Sequence, residues 1–155
     1  MGVQTLIIEG DCIKVRIYFE KGLLDYIELS AFKEIKKIRE TVRLSAFPAR
    51  SIITDRLHDS LIIEHKYIED GKEVFTEYYS IEDYSLSILK LFNEQIGVKY
   101  KNKILSGALT FEEAKEYISK FLDYIDVIHT QRRFHSLFEI VKESLNDAYD
   151  FDLFT

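Results

Sequence analysis

The sequence predicts an α+β fold: an antiparallel sheet of about six strands, built as a meander plus a hairpin, with helices on one face and two C-terminal helices. Three observations carry this. Leu61 to Ile81 sets two β-prone runs on either side of Asp70-Gly71, a strong short-range hairpin signal. Val3 to Leu29 alternates apolar and polar residues around two further turn dipeptides, Gly10-Asp11 and Lys21-Gly22. Beyond residue 80 the apolar spacing turns helical, behind Ser and Thr residues placed as N-caps.

In the Asp70-Gly71 hairpin a two-residue turn sets Glu69 opposite Lys72. Counting outward pairs Tyr67 with Val74, His65 with Thr76 and Ile63 with Tyr78. Upstream, Val3 to Glu9, Cys12 to Glu20 and Leu23 to Leu29 form the meander, with Gly10 placed for a type II′ turn. Ser30 then fits an N-cap, and Phe32, Ile35, Ile38 and Val42 recur at helical spacing up to Pro48, the only proline. Ser51 to Leu57 reads as a weak strand, turned into the hairpin by His58-Asp59-Ser60.

Ser80-Ile81-Glu82-Asp83 resembles a capping box, and the helix behind it runs to about Ile96 with Tyr84, Ile88, Leu89 and Phe92 inward and Gly97 at its end. Val98 to Leu105 is either a short strand or a basic loop, broken by Ser106-Gly107. Thr110-Phe111-Glu112-Glu113 is a full capping box, opening a helix that buries Ala114, Ile118, Phe121, Leu122 and Ile125. A second stripe, Phe134, Leu137, Phe138, Val141 and Leu145, is out of phase with the first, so the chain breaks near His129-Thr130.

The 155 residues read as a single domain, with 46% hydrophobic and 31% charged residues, which excludes wholesale disorder. No apolar run approaches the ~20 residues of a membrane span, and the N-terminus lacks a signal peptide's basic start, so the expectation is a cytoplasmic protein. Cys12 stands alone, which excludes an internal disulfide and any multi-cysteine metal site. A net charge of −6 argues against a protein that coats nucleic acid over its whole surface. Plentiful Lys and Glu with few thermolabile residues lean toward a hot-environment source.

Four groups of residues are candidates for function. Glu64-His65-Lys66, after the apolar Leu61-Ile62-Ile63, resembles the Glu-x-Lys strand of restriction-endonuclease-like nucleases. That resemblance implies a divalent Mg or Mn ion held by Glu64 and an upstream carboxylate, Asp55 or Asp59, with Lys66 positioning the attacking water. The resemblance covers only Thr54 to Ile96, and the strand that feeds the next helix holds Glu77-Tyr78-Tyr79, without a lysine. Basic residues form the second group: Lys33, Lys36, Lys37 and Arg43 on the first helix, then Lys99, Lys101 and Lys103 around Tyr100, a pattern suited to phosphate contact with base stacking.

The third is Asp126 and His129, at i and i+3 on one helix face; no partner motif for a carboxylate-bridged metal accompanies them, and His135, next to Arg132 and Arg133, reads as part of an exposed polar face. The fourth is the segment 146–155, where acidic residues alternate with Tyr149, Phe151, Leu153 and Phe154. It is similar to the acidic tails by which bacterial single-stranded-DNA-binding proteins recruit partners, but ends in Thr155 rather than Phe; the competing reading folds these aromatics back onto the sheet.

No Walker sequence, nucleophile elbow or Gly-rich phosphate loop is present, which disfavours a nucleotide-dependent enzyme. The preferred reading is a small non-enzymatic protein, without a cofactor, that acts through a protein partner or self-association. By association this suits a viral, plasmid or defence-related accessory factor. The alternative is a metal-dependent nuclease or nucleic-acid binder using Glu64 and Lys66.

Overall fold

The computed structural model describes residues 2–48, 59–83 and 86–155. The fold class is α+β as expected, with seven strands rather than about six. The strands are β1 (Val3–Glu9), β2 (Ile13–Glu20), β3 (Leu23–Ile35), β4 (Ile38–Phe47), β5 (Asp59–Glu69), β6 (Lys72–Asp83) and β7 (Asp150–Phe154). They form one antiparallel sheet in the order β6-β5-β4-β3-β2-β1-β7. The helices are α1 (Ile88–Gln95), α2 (Lys101–Leu105), α3 (Phe111–Ile128) and α4 (His135–Asn146), with a 3-10 turn at Gly97–Lys99. No described helix is long and apolar enough to cross a membrane.

Alternation explains the layering. Along β2, Ile13, Val15, Ile17 and Phe19 are buried while Lys14 and Arg16 are exposed. The buried set continues through Ile27, Leu29 and Ala31, Val42, Leu44 and Ala46, and Leu61 and Ile63, all beneath the helices. Aromatic edges lock the layers together. Phe92 of α1 meets Tyr117 and Phe121 of α3 edge-on at 5.5 and 5.1 Å, and Tyr117 meets Phe19 of β2 at 5.8 Å. The Asn93 amide both donates to the Leu24 carbonyl and accepts from the Leu24 N–H, each at 2.9 Å, clamping α1 to the start of β3.

The helix expected after Ser30 is instead the β3–β4 hairpin. Its period is two, with Leu29 and Ala31 facing Leu44 and Val42 across the ladder, and Lys36 turns the chain at φ 57°. The helical spacing of Phe32, Ile35, Ile38 and Val42 marks no common buried stripe: Val42 is buried, Phe32 and Ile38 are half-buried, and Ile35 is 56% exposed. The start of the next helix also moves. Strand β6 runs on through Ser80 to Asp83, and Ser87 caps α1, its hydroxyl accepting from the Lys90 N–H at 3.2 Å.

Gly10 lacks the positive φ of a type II′ turn. It is small because a Cβ there would meet the Ala148 Cα at 2.9 Å, where the chain enters β7. Val98 to Leu105 is neither strand nor loop but the 3-10 turn and α2. Cys12 is half-buried in the bend before β2, not within a strand. Thr110 and Glu113 form the expected reciprocal capping box. The break after α3 falls at His129, and both C-terminal apolar stripes are buried. The weak strand expected at Ser51 to Leu57, and Tyr84 of the expected stripe, lie outside the described residues.

Candidate interaction surfaces

Strand β6 closes one edge of the sheet. Near the turn its pairing with β5 follows the expected register, Glu69 with Lys72. Between Tyr67 and Ile68 the ladder then slips by one residue, leaving Val74 as the extra residue of a bulge. From there Tyr67 faces Phe75, His65 faces Glu77 and Ile63 faces Tyr79, one position off the counted pairs. With side chains alternating, that slip swaps the two faces of β6. Tyr79 and Ile81 pack against the core, and Tyr78 turns outward, 65% exposed.

Val74 and Phe75 are also open, at 56% and 40%. Phe75 stacks on Tyr67 with centroids 5.3 Å apart, and the His65 ring meets it edge-on at 5.3 Å. His65 in turn lies 3.0 Å from the Glu40 carboxylate, so the inner side of the hairpin arm is fixed. The outer margin carries Glu73, Glu77 and Glu82 against Lys72. Among the described residues no strand pairs with this side of β6.

The opposite edge is β7, the acidic-aromatic segment, paired antiparallel to β1. Phe151 stacks on Phe111 with centroids 5.3 Å apart, and Leu153 also packs on the core. Tyr149 and Phe154 remain 68% and 43% exposed. The Tyr149 hydroxyl lies 3.3 Å from the Asp11 carboxylate, which with its charge raises the phenol's pKa.

Of the nuclease-like residues, Glu64 and Lys66 share the open face of β5, where Glu64 stands opposite Arg43 and Lys66 pairs with Glu73 at 3.8 Å. Asp59 belongs to the other face. It is 2% exposed, and its carboxylate accepts the Ile88 N–H at 2.8 Å, fixing the start of α1. Side chains five residues apart on one strand point to opposite faces, so Asp59 and Glu64 do not converge. Asp55 and His58 lie outside the described residues. Among the described residues no three His, Cys, Asp or Glu side chains are grouped to hold a metal ion.

The expected basic residues are dispersed. Lys33 pairs with Glu143 at 4.0 Å, Lys36 and Lys37 form the β3–β4 turn, and Arg43 lies on the open face. Tyr100 is 7% exposed, with its hydroxyl on Glu116, and Lys103 is held by Glu113. No single track joins them.

Asp126, 3% exposed, pairs not with His129 but with His135, its carboxylate 2.6 Å from Nδ1. The Arg132 guanidinium lies 3.1 Å from the same ring, and Glu139 is 3.6 Å from its Nε2. An aspartate can poise an imidazole as a base, but here the remaining nitrogen faces another carboxylate. The cluster pins the α3–α4 corner, where Gln131 and Arg132 adopt φ 52° and 63°.

Two features escape the sequence reading. The outward turn of Tyr78 depends on the Val74 bulge. The cations Lys14 and Arg16 join Arg43 on the open face only once Ser30 to Phe47 folds as the β3–β4 hairpin; the alternation along β2 was the available signal. No protein-family model, curated protein or solved structure matches the chain.

Proposed function

We propose that this protein is a non-enzymatic interaction module that takes up an extended, basic segment of a partner protein as an added strand along β6. The observation that supports it is the edge itself: 12 residues long, without a neighbouring strand among the described residues, and open at Val74, Phe75 and Tyr78. An edge strand offers unpaired N–H and C=O groups in register, and a peptide that pairs with them gains specificity from alternate side chains. Exposed apolar residues along such an edge are a liability unless something covers them.

Charge selects the occupant. Glu73 is answered by Lys66, but Glu77 stands at the middle of the strand, so a second copy pairing antiparallel about that point sets Glu77 against Glu77. Pairing β6 of one copy with β7 of another sets those glutamates against Asp150 and Asp152. A segment with Lys or Arg between β-branched residues meets the edge favourably, with steering that weakens in salt.

A displayed library of extended peptides in which Lys or Arg alternates with Val, Ile or Thr tests the reading. Enriched peptides should bind about tenfold more weakly, ~1.4 kcal/mol, to Glu77→Lys and to Phe75→Ser, and equally well to Asp152→Lys. Enrichment that survives both β6 changes counts against the proposal. So does a stable dimer that Glu77→Lys dissociates, which would make a second copy the occupant.

A further inference from the structure

On the face of the sheet away from the helices, cross-strand register sets two rows side by side: Lys14–Ser30–Arg43 and Arg16–Glu28–Ser45. They line a shallow groove of about 540 Å³. Adjacent strands lie ~4.8 Å apart, so Lys14 and Arg43 rise from backbones roughly 10 Å apart, with only a serine between them. The short Ser30 side chain lies between two long cationic ones, and all three line the groove. An Arg16 guanidinium N–H donates to the Tyr18 hydroxyl at 3.2 Å, which raises the Arg16 pKa and holds the side chain beside the groove. Among the described residues Lys14 and Arg43 are in no ion pair and no side-chain hydrogen bond.

We infer that this groove binds a compact phosphoryl dianion, as inorganic phosphate or a phosphate monoester, between Lys14 and Arg43 over Ser30. The groove's lining carries three cations against one carboxylate, Glu28, in a chain of net charge −6. The Arg43 fork suits two phosphate oxygens, the Lys14 ammonium a third, and the Ser30 hydroxyl can donate from below. Size follows from what surrounds it. Glu9 stands opposite Lys14 and Glu64 opposite Arg43, so a polyanion leaving the groove across the strands runs over carboxylates. A single phosphoryl group does not.

Amide NMR titrations with inorganic phosphate, phosphoserine and a uridine dodecanucleotide at low salt test this. Phosphate and phosphoserine should perturb Ser30, Arg43 and Ser45 in a saturable way, and Lys14→Ala/Arg43→Ala should weaken both about tenfold or more. Lys115→Ala, on α3 at the far side of the sheet, should change neither. Phosphoserine binding above phosphate would identify monoesters as the better ligand, and equal binding the bare anion, both within the inference. Absence of saturable shifts overturns it, as does unchanged binding by the double variant in a folded state verified by its amide spectrum. Binding of the oligonucleotide more than about tenfold tighter than the monoester also overturns it, in favour of a polyanion.

Discussion

Lys36 is the residue on which the two readings of the segment after Ser30 differ most. It sits at φ 57° in the turn between β3 and β4, exposed, in a conformation that costs a non-glycine residue roughly 1–2 kcal/mol. Neighbours offset the cost: the Asp70 N–H donates to the Lys37 carbonyl at 3.0 Å, and Lys37 faces the Asp70 carboxylate at 3.8 Å, so the tips of two hairpins brace each other. Lys36→Gly should therefore stabilise the protein by about 0.5–1 kcal/mol, after glycine's greater loss of chain entropy is subtracted. In a helix the same change would destabilise by ~1 kcal/mol, so the sign of the shift in urea unfolding separates the two structures. Asp70-Gly71 and Lys21-Gly22 were legible as turns because a glycine marked them; Lys36-Lys37 carries no such mark.

At the scale of elements, the clearest agreement is α3. Its Thr110 hydroxyl accepts the Glu113 N–H at 3.2 Å and the Glu113 carboxylate accepts the Thr110 N–H at 3.0 Å. Lys103, then the Thr110 backbone, holds the Glu113 pKa down from 4.5 to about 2. A depressed carboxylate contributes stability above its unfolded pKa and loses it as pH falls through the folded one. The deficit of Glu113→Gln relative to the native chain should thus be full above pH 4.5, shrink toward pH 2 and vanish below, and be smaller in high salt. Thr110→Ala should cost about 1 kcal/mol at neutral pH, with Thr110→Ser retaining most of it. A flat difference across pH 2–5 in urea unfolding would contradict the Lys103–Glu113 contact.

The same scale explains what was illegible. Capping boxes and out-of-phase stripes are local, and they suffice to place α3, α4 and the break between them. Register beyond a bulge is not local. Nothing in Glu73-Val74-Phe75 announces that Val74 leaves the ladder, yet this slip decides that Tyr79 rather than Tyr78 packs inward. Ser80 likewise resembles a cap, but tertiary pairing with Ile62 keeps it in the strand and Ser87 caps instead. Asp59 reads as a turn former or metal ligand, and only the packing of α1 on the sheet reveals it as the acceptor for Ile88.

For the whole molecule, the sheet has one face under helices, one open face and two edges, and among the described residues the exposed aromatics gather at the edges. Phe75 and Tyr78 lie along β6, and Tyr149 and Phe154 lie at β7. The β7 edge is five residues long and flanked by aspartates, whereas β6 presents a long margin with an apolar centre and acidic flanks. A basic strand should therefore find β6 and leave β7 untouched. Amide hydrogen exchange, in the free protein and with a saturating peptide in which Lys alternates with Val, tests this most directly. The expected result is slowed exchange over Lys72–Tyr79, no change over Asp150–Phe154, and loss of the effect in Glu77→Lys. Peptide-induced protection at β7 or on the open face, with β6 exchanging as in the free protein, would contradict strand addition at this edge.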